Sequence, residues 1–191
     1  MIGYAPRLRV RDTAFEPLRQ ALDRRQTVRF RYFKPGEAGP RLRTVDPLAV
    51  VLHEGRWHLH AFDRDAAGPR TFLLSRIIGG VEPVPGMTFD APPPGIQDRI
   101  LAELDELRLR NAADLAVTAG SDAEVRLGKR AVLRDEDAGV IRLHYTDAAV
   151  FADELAAYGP EVRVLAPESL REAVRERLEA VVAAHRGGGA A

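Results

Sequence analysis

Arg56-Trp57-His58-Leu59-His60-Ala61-Phe62-Asp63, answered by Arg70-Thr71-Phe72-Leu73-Leu74-Ser75-Arg76-Ile77, is the stretch that decides the reading of this chain. Side chains on a strand alternate between faces. That alternation predicts a β-hairpin with Trp57, Leu59 and Ala61 buried on one side. Arg56, His58 and His60 fall on the other side, and the partner strand is expected to add Arg70 and Arg76. Guanidinium and imidazole groups on one sheet face, with aromatics nearby, are the chemistry an anionic or nucleic-acid ligand needs.

Working outward toward the N-terminus, Thr13 and Glu16 have capping-box spacing. Phe15, Leu18 and Leu22 then recur at helical intervals, predicting a helix over 14–25. The period next shortens to two. Val28, Phe30 and Tyr32 share one face of a strand, with Arg29 and Arg31 on the other. Lys34-Pro35-Gly36-Glu37 reads as a turn, Arg41 to Val45 as a strand broken by Asp46-Pro47, and Leu48 to His53 as a more buried strand. Glu54-Gly55 and Gly68-Pro69 supply the next turns, Gly79-Gly80 a bend, and Val81 to Val84 a short closing strand. Five or six short strands with tight turns predict a small barrel, which hides its own edges.

Residues 85–95 hold five prolines or glycines beside Pro85 itself and mark the domain boundary. A helix with Ile100, Leu101, Leu104 and Leu107 on one side follows, so residues 85–113 read as a Pro-rich linker and connecting helix. Beyond it the order is strand (Leu115 to Thr118), helix capped by Ser121, hairpin (131–134 and 140–145), helix capped by Asp147, strand (Val162 to Leu165), and a last helix begun by Pro167. The order β-α-β-β-α-β-α predicts a ferredoxin-like domain over 114–186 with one added helix. Residues 1–13 read as an N-terminal linker and 187–191 as a disordered tail. The fold class expected is α+β.

The formal net charge of zero conceals an imbalance. Residues 1–85 carry 15 Lys+Arg against 9 Asp+Glu, and residues 86–191 carry 13 against 19. Three of the five histidines, His53, His58 and His60, fall within eight residues of the basic half. A basic module joined to an acidic one implies different partners for each. With no cysteine, disulfides and thiolate metal sites are excluded. No apolar run has the length of a membrane span and no segment has signal-peptide layout, so a cytoplasmic protein is expected. There is no nucleophile elbow, P-loop or dinucleotide fingerprint, and no enzyme and no cofactor are expected. His58 and His60 at i,i+2, with His53 or Asp63 as third ligand, have metal-site spacing, but without a supporting motif a metal is not expected.

The segment resembles the WYL domain of bacterial transcriptional regulators, named for a Trp-Tyr-Leu triplet that stands here as Trp57-His58-Leu59. Arg43-Thr44-Val45-Asp46-Pro47, Gly55-Arg56-Trp57 and Phe72-Leu73-Leu74-Ser75-Arg76-Ile77 fall in the family's order and spacing. Tyr158-Gly159-Pro160, Val162-Arg163-Val164-Leu165 and Pro167-Glu168-Ser169-Leu170-Arg171 resemble the extension that follows WYL domains. The pattern is most similar to the proteasome accessory factor B and C regulators of actinobacteria. The resemblance implies an Sm-like or SH3-like barrel over 14–84, a C-terminal extension engaged in dimer contacts, a role in the transcriptional response to DNA damage, and a single-stranded DNA ligand. It implies a homodimer, or a heterodimer with a paralogous WYL regulator, as the working unit. His58 departs from the family's Tyr, and Leu73 stands where many members carry Arg. No winged helix-turn-helix precedes Thr13, so duplex reading by this chain alone is not expected.

The candidate ligand contacts are Arg31, Arg43, His58, His60, Arg70 and Arg76. The arginines suit phosphate oxygens through their planar forks of donors, and the histidines suit stacking or phosphate donation. The expected ligand is single-stranded nucleic acid. The alternatives are a small anionic metabolite or nucleotide held at the same place, and a pure protein–protein interaction module. The expected mechanism is a population shift, in which the ligand on the basic face lets the C-terminal domain reposition through the 85–95 linker.

Overall fold

The computed structural model describes residues 13–187. Residues 1–12 of the expected N-terminal linker and residues 188–191 of the expected tail lie outside the described residues. The chain divides into two compact units between Glu103 and Leu104.

The first unit opens with helix α1 (Phe15–Asp23). Its first turn lacks the capping box: Ala14, not Thr13, is the N-cap, and no side chain caps it. Glu16 turns outward instead and pairs with Arg19 at 2.7 Å. Strands β1 (Gln26–Tyr32), β2 (Arg41–His53), β3 (Arg56–Asp63) and β4 (Gly68–Leu73) follow, then a 3-10 turn (Leu74–Arg76) and β5 (Ile77–Thr88). All pairings are antiparallel, in the order β4-β3-β2-β1-β5.

Three local expectations need correction. Asp46-Pro47 does not break β2; the strand absorbs the proline in a register shift between Pro47 and Ala49. A bulge accommodates a residue that has no N–H to donate. The β3–β4 turn lies before Gly68-Pro69, with Ala67 at φ 51°, and Gly68 already belongs to β4. Gly79-Gly80 does not end a strand, and β5 runs on to Thr88, so the first residues of the expected linker are sheet. The Glu54-Gly55 turn holds: both residues have positive φ (46° and 73°), the geometry of a two-residue hairpin matched to strand twist.

The core of this unit lies between α1 and one sheet face. It gathers Leu18 and Ala21 with Val28, Phe30, Val45, Leu59, Ala61, Phe72 and Leu74. Each fully buried Leu or Phe contributes roughly 1.5–3 kcal/mol. Trp57 is half-buried at the margin of this core and packs on Phe15 with ring centroids 4.3 Å apart.

Helix α2 (Ile96–Arg110) spans the boundary; Ile96, Ile100 and Leu104 are buried, while Leu107 is exposed. The second unit continues with β6 (Ala112–Val117), α3 (Asp122–Gly128), β7 (Leu133–Asp135), β8 (Val140–His144), α4 (Ala148–Ala156), β9 (Val162–Ala166) and α5 (Glu168–Gly187). Its strands are all antiparallel, in the order β7-β8-β6-β9. Ser121 and Asp147 cap α3 and α4 as their spacing predicts, accepting from the N–H groups of Glu124 and Val150. The core joins Leu115, Ile141, Leu143 and Val164 of the sheet to Leu127, Phe151, Leu155 and Leu170 of the helices. The molecule is therefore a mixed α/β chain built on two antiparallel sheets.

Candidate functional site

The candidate residues of the first unit do not share one sheet face, because cross-strand register decides the face. Residues directly opposite in an antiparallel pair point the same way. Arg43 lies opposite Phe30, and Arg70 opposite Ala61, so both project from the core side of the sheet. Arg31 lies between Leu42 and Ile78, on the outer side. His58 and His60 also point outward, opposite Val51 and Ala49. Arg70 is thus on the Leu59 and Ala61 face rather than the histidine face expected for it.

The outer face along β2 and β3 is covered. Ala49, Val51, His53, His58 and His60 are all buried there. His58 Nδ1 lies 3.1 Å from the carbonyl of Arg56, and His60 Nδ1 lies 3.1 Å from the hydroxyl of Thr71. The His53 and His58 rings meet edge to face, 6.1 Å apart. Burial pushes the His60 imidazole below its ordinary pKa; Glu103 on α2 works against that shift and Arg99 adds to it. These two histidines are interior groups and are not surfaces for a ligand. The apolar neighbours Ala49 and Val51 carried the signal: a face that is small and apolar on one strand is packed, whatever its partner strand presents.

What the register does bring together is an end of the sheet. Tyr32 at the close of β1 lies opposite Arg41 at the start of β2 and Ile77 at the start of β5. Asp63 at the close of β3 lies opposite Gly68 at the start of β4. By register Arg31 and Arg43 belong to the Tyr32 end of the β1–β2 pair and Arg70 to the Asp63 end of the β3–β4 pair, whereas Arg76 follows Leu73, opposite His58, beyond the other end of β4. Arg76 sits in the 3-10 turn, where its carbonyl accepts the N–H of Phe33 at 3.0 Å.

Asp63 organises the core side of this end. It is fully buried. Its Oδ1 accepts the backbone N–H groups of Asp65 and Ala66 at 3.0 and 3.1 Å, which fixes the β3–β4 turn. Its Oδ2 lies 3.4 Å from Arg43 Nη1 and 3.4 Å from Arg70 Nε. One carboxylate therefore faces two guanidinium groups at distances longer than a tight charged hydrogen bond. Arg43 Nε is buried without a hydrogen-bond partner among the described residues. The Arg70 side chain is 56% exposed. A second carboxylate, Asp65, stands in the same cluster, where its Oδ2 accepts the N–H of Thr44 at 2.8 Å, so the accessible donors here are those of Arg70. Asp63 had a readable signal in sequence: a carboxylate in step with Leu59 and Ala61, where apolar residues belong.

Residues 13–82 match the WYL domain, and residues 103–182 match the WCX domain. The chain thus carries a WYL domain followed by a WCX domain. It is 32% identical over 169 residues to Protein PafB of Mycobacterium tuberculosis, an alignment covering 85% of this chain and 51% of PafB. It is 32% identical over 149 residues to Protein PafC of the same species, covering 75% of this chain and 46% of PafC. Against the solved Proteasome accessory factor B/C (PafBC) of Arthrobacter aurescens the TM-score is 0.56 at 30% identity, with 94% of this chain and 29% of that chain covered. The chain spans about half the length of the curated relatives it matches. Asp63, Arg43 and Arg70 lie inside the WYL match, as do Arg31 and Arg76. No helix of the described residues is long and apolar enough to cross a membrane.

Proposed function

We propose that this chain is the ligand-sensing and subunit-pairing region of a bacterial transcriptional regulator of the DNA-damage-response type, and that its ligand is single-stranded nucleic acid. The observation that carries the reading is the convergence of Arg43 and Arg70 on the buried carboxylate of Asp63, with the Arg70 side chain more than half exposed; Arg31 and Arg76 are the further contacts that this reading assigns. Guanidinium forks suit phosphodiester oxygens. Likeness to both PafB and PafC supports a paralogous WYL protein, or a second copy, as the partner. We read the chain as non-enzymatic and cytoplasmic.

The finer fold reading belongs to the same proposal. A five-stranded antiparallel sheet with a 3-10 turn before its last strand supports an Sm-like or SH3-like first domain. The element order β-α-β-β-α-β and the strand order β7-β8-β6-β9 support a ferredoxin-like second domain.

The test is fluorescence anisotropy with a labelled 15-nucleotide oligothymidylate at two salt concentrations. The slope of log K against log salt reports the phosphates held, at roughly 0.7 per phosphate for single strands. Arg43→Ala and Arg70→Ala should each weaken binding and flatten that slope. A small anion such as a mononucleotide, held by the same Arg43 and Arg70 pair, is the second reading. Retention of a mononucleotide with no oligonucleotide bound at low salt would establish that reading in place of the first.

A further inference from the structure

Phe33 follows directly on β1 and is 37% exposed, as Phe62 is at 39%, whereas Phe30, Tyr32 and Phe72 pack on one another. Its backbone is fixed, because its N–H donates to the Arg76 carbonyl. The extended chain carries Phe33 on the parity of Arg31. Arg31 itself lies in a cross-strand row between Leu42 (59% exposed) and Ile78 (47% exposed). Among the described residues neither the Arg31 guanidinium nor the Lys34 ammonium has an ion-pair partner. Arg29, two residues back on the same face, is held by Glu82 at 2.9 Å, and Arg41 by Glu37 at 3.1 Å. Arg31 thus lies on the parity of the exposed Phe33 ring, with Leu42 and Ile78 beside it, and Lys34 is the next residue along the chain.

We propose that Phe33 is a base-stacking platform for single-stranded nucleic acid, with Arg31 and Lys34 holding the phosphates on either side of the stacked nucleotide. This rests on the nucleic-acid reading above and extends it to the outer side of the same sheet end. Charge and shape choose the occupant. Unsatisfied cations alternating with an accessible π-face are what a backbone with unstacked bases fits, and a duplex hides those π-faces. Arg43 and Arg70 cannot supply the π-face, since the aromatic rings on their side, Phe30, Tyr32 and Phe72, pack edge to face on one another. Phosphates are then held on both sides of the sheet and the base on the Phe33 side alone, a span that a strand of several nucleotides bridges and a mononucleotide does not.

The experiment compares two labelled 15-mers on the full chain, oligothymidylate and an abasic deoxyribose-phosphate strand of equal charge. The wild-type chain should prefer the strand with bases. Phe33→Ala should weaken oligothymidylate about tenfold, within the range measured for one base–aromatic stack, leave the abasic strand unchanged, and leave the salt slope unchanged. Phe33→Trp should restore the preference and show indole quenching on binding. Arg31→Ala and Lys34→Ala should each lower the salt slope by roughly 0.7 on both strands. Urea midpoints of the variants equal to wild type establish that the fold is kept. Phe33→Ala binding oligothymidylate as wild type does, while Arg43→Ala weakens it, overturns the platform and leaves the sensing function standing. Failure of the wild-type chain to bind either strand at low salt overturns both.

Discussion

Arg43 reaches Asp63 diagonally across two strands: Asp63 lies opposite Val45, yet Arg43 Nη1 stands 3.4 Å from its Oδ2. The contact places a charge pair at the edge of the core that holds Val28, Val45 and Ala61.

Asp63 therefore has two roles that substitution separates. Asp63→Ala removes the acceptor of two turn N–H groups and strands the partly buried Arg43. Breaking a buried pair from one side typically costs about 3–5 kcal/mol, and we expect the lower end because Arg70 is solvated. Asp63→Asn keeps an oxygen for the turn and should cost less, roughly 1–3 kcal/mol. It also releases both guanidinium groups, so oligothymidylate binding should tighten while stability falls. Urea unfolding and anisotropy on the same samples check this; affinity falling with stability in Asp63→Asn would show that the carboxylate orients the arginines rather than competes for them.

Asp46 is the second buried carboxylate of the unit, and it points the other way. Its Oδ1 accepts the Thr27 hydroxyl at 2.6 Å and Arg64 Nε at 2.9 Å. Thr27 is fully buried. Thr27→Val keeps the shape and removes the donor, leaving the carboxylate with fewer partners, at a cost of roughly 1–3 kcal/mol. Thr27→Ser should recover most of the loss. A valine variant as stable as wild type in urea would mean that Arg64 alone satisfies Asp46.

The period-two runs at Val28–Tyr32 and Trp57–Asp63 made the first sheet legible, because each places apolar side chains on one face. The caps at Ser121 and Asp147 were legible for a local reason: each hydroxyl or carboxylate meets an N–H three residues on. Thr13 has the same spacing before Glu16, and fails because Ala14 already begins the helical turn. The site was less legible. Alternation assigns a residue to one of two faces but does not say which face another element will cover, so His58 and His60 read as surface. Nor does it give register, which alone puts Arg70 beside Ala61 and Arg31 beside Leu42. The convergence of Arg43 and Arg70 on Asp63 is a relation among three strands that no single window contains.

The Ser121 cap offers a test confined to the second unit. Its hydroxyl accepts the N–H of Glu124 at 3.1 Å, and the Glu124 carboxylate returns to the N–H of Gly120 at 2.7 Å. Ser121→Ala should cost about 1 kcal/mol. Ser121→Asp should keep the acceptor and add a charge suited to the helix N-terminus. A shift in the urea midpoint for alanine but not for aspartate is the expected pattern; equal shifts would assign the loss to something other than the cap.

His60 makes the stability of the chain depend on pH with a definite sign. Burial lowers its folded-state pKa, with Glu103 opposing and Arg99 assisting. Its unfolded value is about 6.5. Above that pH neither state carries the proton, and the contribution of the neutral, Thr71-bonded imidazole is fully present. As pH falls from 6.5 toward the lower folded-state value, the unfolded chain takes up a proton that the folded chain refuses. Stability then declines, by at most about tenfold in the folding constant per pH unit for one group. Below the folded-state value the loss levels off. His60→Gln keeps a polar group in reach of Thr71 and removes the titration. Urea midpoints at pH 7.5, 6.5 and 5.5 should therefore fall less steeply in His60→Gln than in wild type. Parallel profiles for the two proteins would mean that the imidazole takes its proton as readily inside the fold as outside it, and would remove His60 as the source of the acid sensitivity.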